Sequence, residues 1–250
     1  MLRKRVIPCL LLKNGRMVKG KQFSNFRDTG NPVSAARIYN AQTVDELLFI
    51  DIDASNEGRA ALFEVIEKVS SELFIPFCVG GGIKDIDTIK ELLRAGADKV
   101  SICSAAVDDL GFIREAIRTF GSQCIVICVD FRFEDGVYTV YTHSGSIKTN
   151  KVFEEYIIEL TELNVGEILL NSIDRDGMMN GYDIDILKKT RAMTNIPIIA
   201  LGGAGKLTDF ADAFSEANIS AVSAASIFHF SDQSPIKVNF FLKSAGVCVR

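Results

Sequence analysis

Eight short apolar runs alternate with eight helix-patterned segments, which predicts an α/β fold closed as a (β/α)8 TIM barrel with a two-fold half-barrel repeat. Two further observations support closure. A chain of 250 residues, 48% hydrophobic and 24% charged, is long enough for one barrel domain with a sizeable core. The chain also repeats internally. Glu46-Leu47-Leu48-Phe49-Ile50-Asp51-Ile52-Asp53 matches Glu167-Ile168-Leu169-Leu170-Asn171-Ser172-Ile173-Asp174, 121 positions on. At the same offset Val79 to Gly82 lines up with Ala200 to Gly203, so the halves run about 1–122 and 123–250. A doubly wound open sheet would alternate too, but a tandem repeat of half the chain fits closure better.

The elements follow in order. Val6–Leu12 is the first strand, and the polar, basic stretch from Lys13 to Gly30 reads as a mobile loop facing an anion. Apolar residues at 33, 36, 38 and 41 after Asn31-Pro32 predict a helix with proline in its first turn. Strand two is Glu46–Asp51, and Ser55 to Glu57 introduces a helix with apolar positions 62, 63, 65 and 66, continuing to 69. Phe77–Val79 is strand three, 85–95 a helix, Lys99–Cys103 strand four and 109–120 a helix. Ile125 to Asp130 is a five-residue apolar run ending in a carboxylate, the pattern of a strand buried on both faces that aims its last side chain into a site. Residues 131–150 read as a long loop with a β-like Val137 to Tyr141. Helices at 152–164, 183–193, 206–217 and 235–243 then alternate with strands at 167–171, 198–201 and 221–224.

A net charge of −4 and a pI near 5.4 give no general attraction to nucleic acid or an anionic membrane. No apolar stretch approaches the roughly 18 residues of a membrane span. Met1-Leu2-Arg3-Lys4-Arg5 before an apolar run resembles a leader, but Pro8 interrupts the run and no small-residue cleavage site follows. A cytoplasmic location is expected. The six cysteines form no CxxC pair, and the x3 spacing of Cys124 and Cys128 lacks a completing His or second pair, so neither disulfides nor a metal is expected. No cofactor is expected either.

In this fold chemistry belongs at the carboxyl ends of the strands. Gly80-Gly81-Gly82 with Ser101 and Ser104, and Gly202-Gly203-Ala204-Gly205 with Ser226, place glycine turns there twice. One such pair can be only a tight turn. Two on opposite sides of one mouth predict backbone cradles for a ligand with a phosphate at each end.

Pro8-Cys9-Leu10, Gly80-Gly81-Gly82-Ile83, Ser104-Ala105-Ala106-Val107, Phe120-Gly121-Ser122-Gln123, Asp174-Arg175-Asp176-Gly177 and Ser226-Ile227-Phe228-His229-Phe230 resemble the cyclase subunit of imidazole glycerol phosphate synthase, the HisF family. The match is collinear from residue 1 to about 230. It implies a barrel paired with a glutaminase of the HisH type as a heterodimer, whose ammonia passes through the barrel to a bis-phosphorylated substrate. Residue by residue it implies Asp130 as a catalytic carboxylate and phosphate contacts at Gly81, Gly82, Ser104, Gly177, Gly203, Ala225 and Ser226. Lys19, Asp51 and Asp176 are expected at the substrate, and Asp98 at the glutaminase interface. Arg5, Glu46, Lys99 and Glu167 match the charged ring at the ammonia passage. Charges at that end of a barrel also read as an ionic plug. Both readings stand.

The resemblance breaks at the mouth. The family places a second carboxylate at position 11, where this chain has Leu11; Cys103 stands for a usual Asn and Leu201 for a usual Ser. Leucine exchanges no proton, and losing one acid–base group typically costs about 10²–10⁴-fold in rate. A divergent branch associated with amidation of surface-polysaccharide sugars shares the opening Pro-Cys-Leu-Leu-Leu-Lys run. By that resemblance the barrel supplies ammonia to a separate sugar amidotransferase. Two alternatives remain: the cyclase of histidine biosynthesis, and a non-catalytic phosphate-binding scaffold that activates the glutaminase. Enzyme status stays open, leaning to the lyase or cyclase type. Lone residues are weighed in the same way. His143 is either a solvated loop histidine or a substrate contact, and His229 between two phenylalanines reads as packed. Asp174 and Asp176 either stabilise a turn or, for Asp176, hold a substrate hydroxyl.

Overall fold

The computed structural model describes residues 3–58 and 63–250. Met1, Leu2 and the predicted apolar position Leu62 lie outside them. The chain forms β1 (Arg5–Lys13), β2 (Arg16–Lys21), β3 (Ser24–Gly30), α1 (Pro32–Ala41), β4 (Leu47–Asp51), α2 (Phe63–Ser70), β5 (Phe77–Gly80) and α3 (Ile86–Arg94). It continues with β6 (Lys99–Ile102), α4 (Ser104–Asp108), α5 (Leu110–Phe120), β7 (Ile125–Glu134), β8 (Val137–Thr142), β9 (Ile147–Val152) and α6 (Phe153–Glu162). Then come β10 (Glu167–Ser172), α7 (Ile184–Met193), β11 (Ile198–Leu201), α8 (Leu207–Ala217), β12 (Ala221–Ala224), α9 (Ser226–Phe230) and α10 (Pro235–Ser244).

Eight of these strands close a parallel barrel. β1 pairs with β12 on one side and β4 on the other, and β7 pairs with β10, which removes both edges of the sheet. Period two then divides the side chains. On β1, Ile7 and Cys9 join an inner cluster with Leu48, Cys128, Leu169 and Ile199. Val6, Leu10 and Leu12 face outward into the cluster that helices cover. Both faces of each strand are apolar because both are buried, which is why the strands read as continuous hydrophobic runs. Phe49 and Phe77, edge to face at 5.7 Å, anchor the outer core.

Helix boundaries follow local chemistry. The Asn31 side chain accepts from Ser34 N at the start of α1 with Pro32 in its first turn, and Asp85 accepts from Thr88 N at the start of α3. The C-terminal cap of α8 is Asn218 in the left-handed conformation, φ 48°.

Two predicted loops are sheet. Residues 13–30 form the hairpin β2–β3, with β2 antiparallel to the end of β1, so they are not a mobile loop. Residues 131–150 extend β7 to Glu134 and then form β8 and β9. The predicted Val137 to Tyr141 strand falls within β8. The two hairpins stand on the carboxyl ends of barrel strands and roof the mouth. Two short helices, α4 and α9, also go beyond the eight predicted; five residues are too few to show a helical period.

Phe49 is 1% exposed and lies in the shared core of β4 and β5. Phe49→Ala is therefore expected to lower unfolding free energy by about 3–5 kcal/mol. Ile38→Ala, at 57% exposure on α1, should change it by no more than about 0.5 kcal/mol. Urea unfolding with the denaturant slope fitted for each variant checks both; equal midpoints for Phe49→Ala and wild type would contradict the packing described.

Candidate active site at the barrel mouth

The inner positions of the strands carry the site. At the amino-terminal end they are charged: Arg5 on β1, Glu46 just before β4, Lys99 on β6 and Glu167 on β10. Arg5 donates to Glu46 at 2.7 Å and Glu167 at 2.6 Å, and Lys99 donates to Glu46 at 2.9 Å and Glu167 at 3.2 Å. The four alternate in a closed ring. Burial pulls Arg5 and Lys99 toward neutrality, but the charges of the two glutamates outweigh it, so both cations are held above their ordinary range. Asp98 lies nearby, exposed, and accepts from the backbone N–H of Phe77 at 2.8 Å. Asp98 therefore fixes the entry of β5 whatever else it touches.

At the other end the strands open into a cavity of about 100 Å³. Asp130, Lys19, Asp51 and Asp176 line it, with Gly81, Gly82 and Ser104 along one side. Leu11, Cys103 and Leu201 line the same cavity. The three positions where the sequence departs from the resemblance thus face the space where a ligand would sit. A smaller pocket of about 20 Å³ adjoins it, lined by Gly177, Gly203, Ala225 and Ser226 together with Lys19 and Asp176. All seven predicted phosphate contacts therefore fall into two groups.

Backbone geometry builds these rims. Gly81 has φ +110°, and a Cβ there would stand 2.2 Å from the carbonyl oxygen of Asp51. The same contact recurs 121 positions later, where Gly202, φ +94°, packs on the carbonyl of Ser172. Only glycine fits such a crossing. Ser226 Oγ is buried without a hydrogen-bond partner, whereas Ser104 Oγ accepts from His143 N at 3.0 Å.

Asp130 is 6% exposed at the inner face of β7. Asn171, in register with it on β10, donates from Nδ2 to Oδ1 at 2.8 Å. Cys103 and Cys128 each approach a carboxylate oxygen at 3.5 Å. Burial pushes Asp130 up to about 6, against the opposing pull of those three hydrogen bonds. A carboxyl group so placed can both hold and release a proton near neutrality.

Lys19 is not a free cation facing an anion. It is buried and donates to Asp176 at 2.5 Å, tying β2 to the loop after β10. Asp174 accepts from Phe133 N at 2.8 Å and so braces the extended end of β7. Sequence reasoning missed both cross-loop ties, because partners 157 and 41 positions apart leave no local pattern. It also missed the meeting of Cys103 with Cys128, since only x-spacing within one strand was scored. The adjacency of β6 and β7 was the available signal.

The family model described as histidine biosynthesis protein matches residues 5–234. Imidazole glycerol phosphate synthase subunit HisF from Dehalococcoides mccartyi is 49% identical over 250 residues, covering 100% of this chain and 99% of that one. The subunit of the same name from Geobacillus thermodenitrificans is 46% identical over 252 residues, covering 100% of each. That from Thermotoga sp. is 46% identical over 250 residues, covering 100% and 98%. The chain belongs to the HisF family. This HisF-family barrel has the charged ring, Asp130 and both glycine rims, and it carries leucine at position 11.

In this HisF-family barrel His229 sits near the end of α9, half-buried. Burial, then the charge of Lys19, lowers it to about 4. A depressed histidine takes up its proton more readily unfolded than folded, so stability is present above about pH 6.5 and falls toward pH 4. Part of the side chain meets solvent, so the loss is set at about 1–3 kcal/mol. Subtracting the stability-versus-pH curve of His229→Gln from that of wild type should isolate a decline confined to that window. A flat difference would show that His229 is not desolvated.

Proposed function

We propose that this chain is the synthase subunit of a glutamine amidotransferase complex, taking ammonia from a glutaminase of the HisH type. Its ligand would be a small molecule carrying phosphate at each end. The observation that carries this reading is that one barrel has the four-charge ring at its amino-terminal end and Asp130 between two glycine rims at the other. Ammonia released below the ring would travel the barrel axis to the carboxylate. The ring is then a gate, with Asp98 at the docking face, and Asp130 exchanges the proton. Gly81, Gly82 and Ser104 would hold one phosphate, and Gly177, Gly203, Ala225 and Ser226 the other. Lys19, Asp51 and Asp176 would meet the ligand between them. The chain is read as one domain of two copied half-barrels.

The names of the relatives favour the cyclase of histidine biosynthesis as the reaction. A second reading has its own observation: Leu11, Cys103 and Leu201 make the centre of the mouth apolar where acid–base chemistry would need polar groups. That favours ammonia supply to a sugar amidotransferase.

Turnover of the histidine-pathway intermediate with added ammonium salt separates the two. A rate matching a family member with carboxylates at both positions, abolished by Asp130→Asn, supports the cyclase. A rate that is low and rises at least tenfold in Leu11→Asp, about 1.4 kcal/mol of barrier, supports the second reading. No response in either variant would sink the catalytic assignment and leave a scaffold.

The gate has a separate test. A static plug predicts that Lys99→Ala strands a buried glutamate and lowers stability by about 3–5 kcal/mol. A gate predicts a smaller loss and a fall in glutamine-driven product relative to ammonia-driven product in the reconstituted complex. An unchanged ratio in folded variants at all four ring positions would remove the channel.

A further inference from the structure

Cys103, Cys128 and Asp130 bring two thiols and a carboxylate together at the floor of the mouth. Their Sγ and carboxylate oxygen atoms lie within 4.8 Å of one another. The sheet holds them there. Cys128 and Asp130 are two apart on the inner face of β7, and Cys103 follows the last residue of the neighbouring strand β6.

From this geometry we infer a binding site for one soft divalent cation, zinc in the first place, ligated by Cys103 Sγ, Cys128 Sγ and the Asp130 carboxylate. The inference does not depend on the proposed reaction, although an ion held there would occupy the carboxylate that reaction uses.

The distances suit such an ion. Metal–sulfur bonds of about 2.3 Å and metal–oxygen bonds of about 2.0 Å at tetrahedral angles separate sulfur from oxygen by about 3.5 Å. Cys103 Sγ stands 3.5 Å from Asp130 Oδ2 and Cys128 Sγ 3.5 Å from Asp130 Oδ1, so each thiol meets its own carboxylate oxygen and a small turn of the carboxylate brings one oxygen to both. Two sulfurs and one carboxylate select zinc-like ions over magnesium or calcium, which prefer all-oxygen shells.

A second, independent observation comes from Asn171. It is 6% exposed and lines the same cavity. Its Nδ2 donates to Asp130 at 2.8 Å, while its Oδ1 is buried with no hydrogen-bond partner. A carbonyl oxygen left in that state beside a carboxylate needs a positive or donating neighbour. A water on a cation in the cluster would supply the donor, and the Nδ2 bond orients the carboxylate as outer partners of metal ligands do. Three protein donors leave a coordination position directed to the cavity, the arrangement of zinc sites that accept water or a ligand. Hydrogen bonding to Cys103, then burial, raises Cys128 well above its usual range. For Cys103 that bond to Cys128 pulls the other way, and burial with the charge of Asp130 outweighs it. The cluster without metal is therefore a pair of neutral thiols, and an entering cation displaces their protons.

The probe is cobalt(II), followed by zinc competition, on the full chain stripped with chelator and kept in a phosphine reductant. One equivalent should bind with thiolate-to-cobalt charge-transfer absorption and be displaced by zinc. Cys103→Ala and Cys128→Ala should each abolish that absorption and the zinc-dependent rise in melting temperature. Cys124→Ala and Cys248→Ala, outside the cluster, should keep both. Asn171→Leu should weaken binding roughly 10–100-fold, as loss of an outer partner does. Circular dichroism of each variant without metal verifies folding; if an alanine variant fails to fold, the serine variant replaces it. Absence of binding to wild type, or absorption retained in folded Cys103 and Cys128 variants, overturns the site. Absorption carried instead by Cys248, the exposed thiol, overturns it equally.

Discussion

Closure of the sheet through β7–β10 and β1–β12 is the constraint on which the remaining structure depends. In a closed parallel barrel the side-chain period of two sends every second residue to the axis, and the stagger of the strands sets its height. Arg5, Ile7, Cys9 and Leu11 therefore form a ladder from charge to mouth on one strand. Glu167, Leu169 and Asn171 do the same on another. A slip of one residue in either strand would move the ring charges into the helical layer and Asn171 away from Asp130. Chemistry at the two ends of the molecule is thus specified by one register.

The ring illustrates what that register secures. Four charges taken from water lose solvation that their mutual attraction only about recovers, so such a set contributes little net stability. Its alternation is what keeps it tolerable. Each cation touches both glutamates, Arg5 through separate nitrogens, so neither carboxylate faces the axis alone. An apolar set of similar volume could close the end of a barrel at comparable stability, so the ring by itself is weak evidence for a stabilising role.

Strand and helix order was readable because each barrel strand is a run of β-favouring residues bounded by glycine, proline or polar turns. Asp130 was readable as a lone charge closing such a run, and the glycine rims by their recurrence. The hairpins were not. Lys13 to Gly30 contains Gly15, Gly20 and many polar residues, and its strands pair mainly with each other, so neither face shows an apolar stripe. Lys19 read as part of a mobile loop facing an anion, yet its partner Asp176 lies 157 positions away on the loop after β10. Likewise the cysteine cluster depends on two neighbouring strands. Spacing within a strand reports faces, whereas contacts between strands depend on register, which no single run encodes.

The roof over the mouth alters the molecule's relation to its own copies. A closed barrel has no free strand edge, but the hairpins restore two: among the described residues β3 pairs only with β2, and β9 only with β8. β9 carries Ile147 and Val152, each 49% exposed. An open edge of this kind is a template for another chain. Both hairpins interrupt it. Register shifts break the ladder at Met17/Val18, at Lys19/Lys21 and at Thr139/Tyr141. Lys148 and Lys151 stand along β9, paired to Glu134 and Glu159. Bulge and lysine together leave a strand approaching β9 no straight, uncharged line to follow, which disfavours sheet extension at the rim of the mouth.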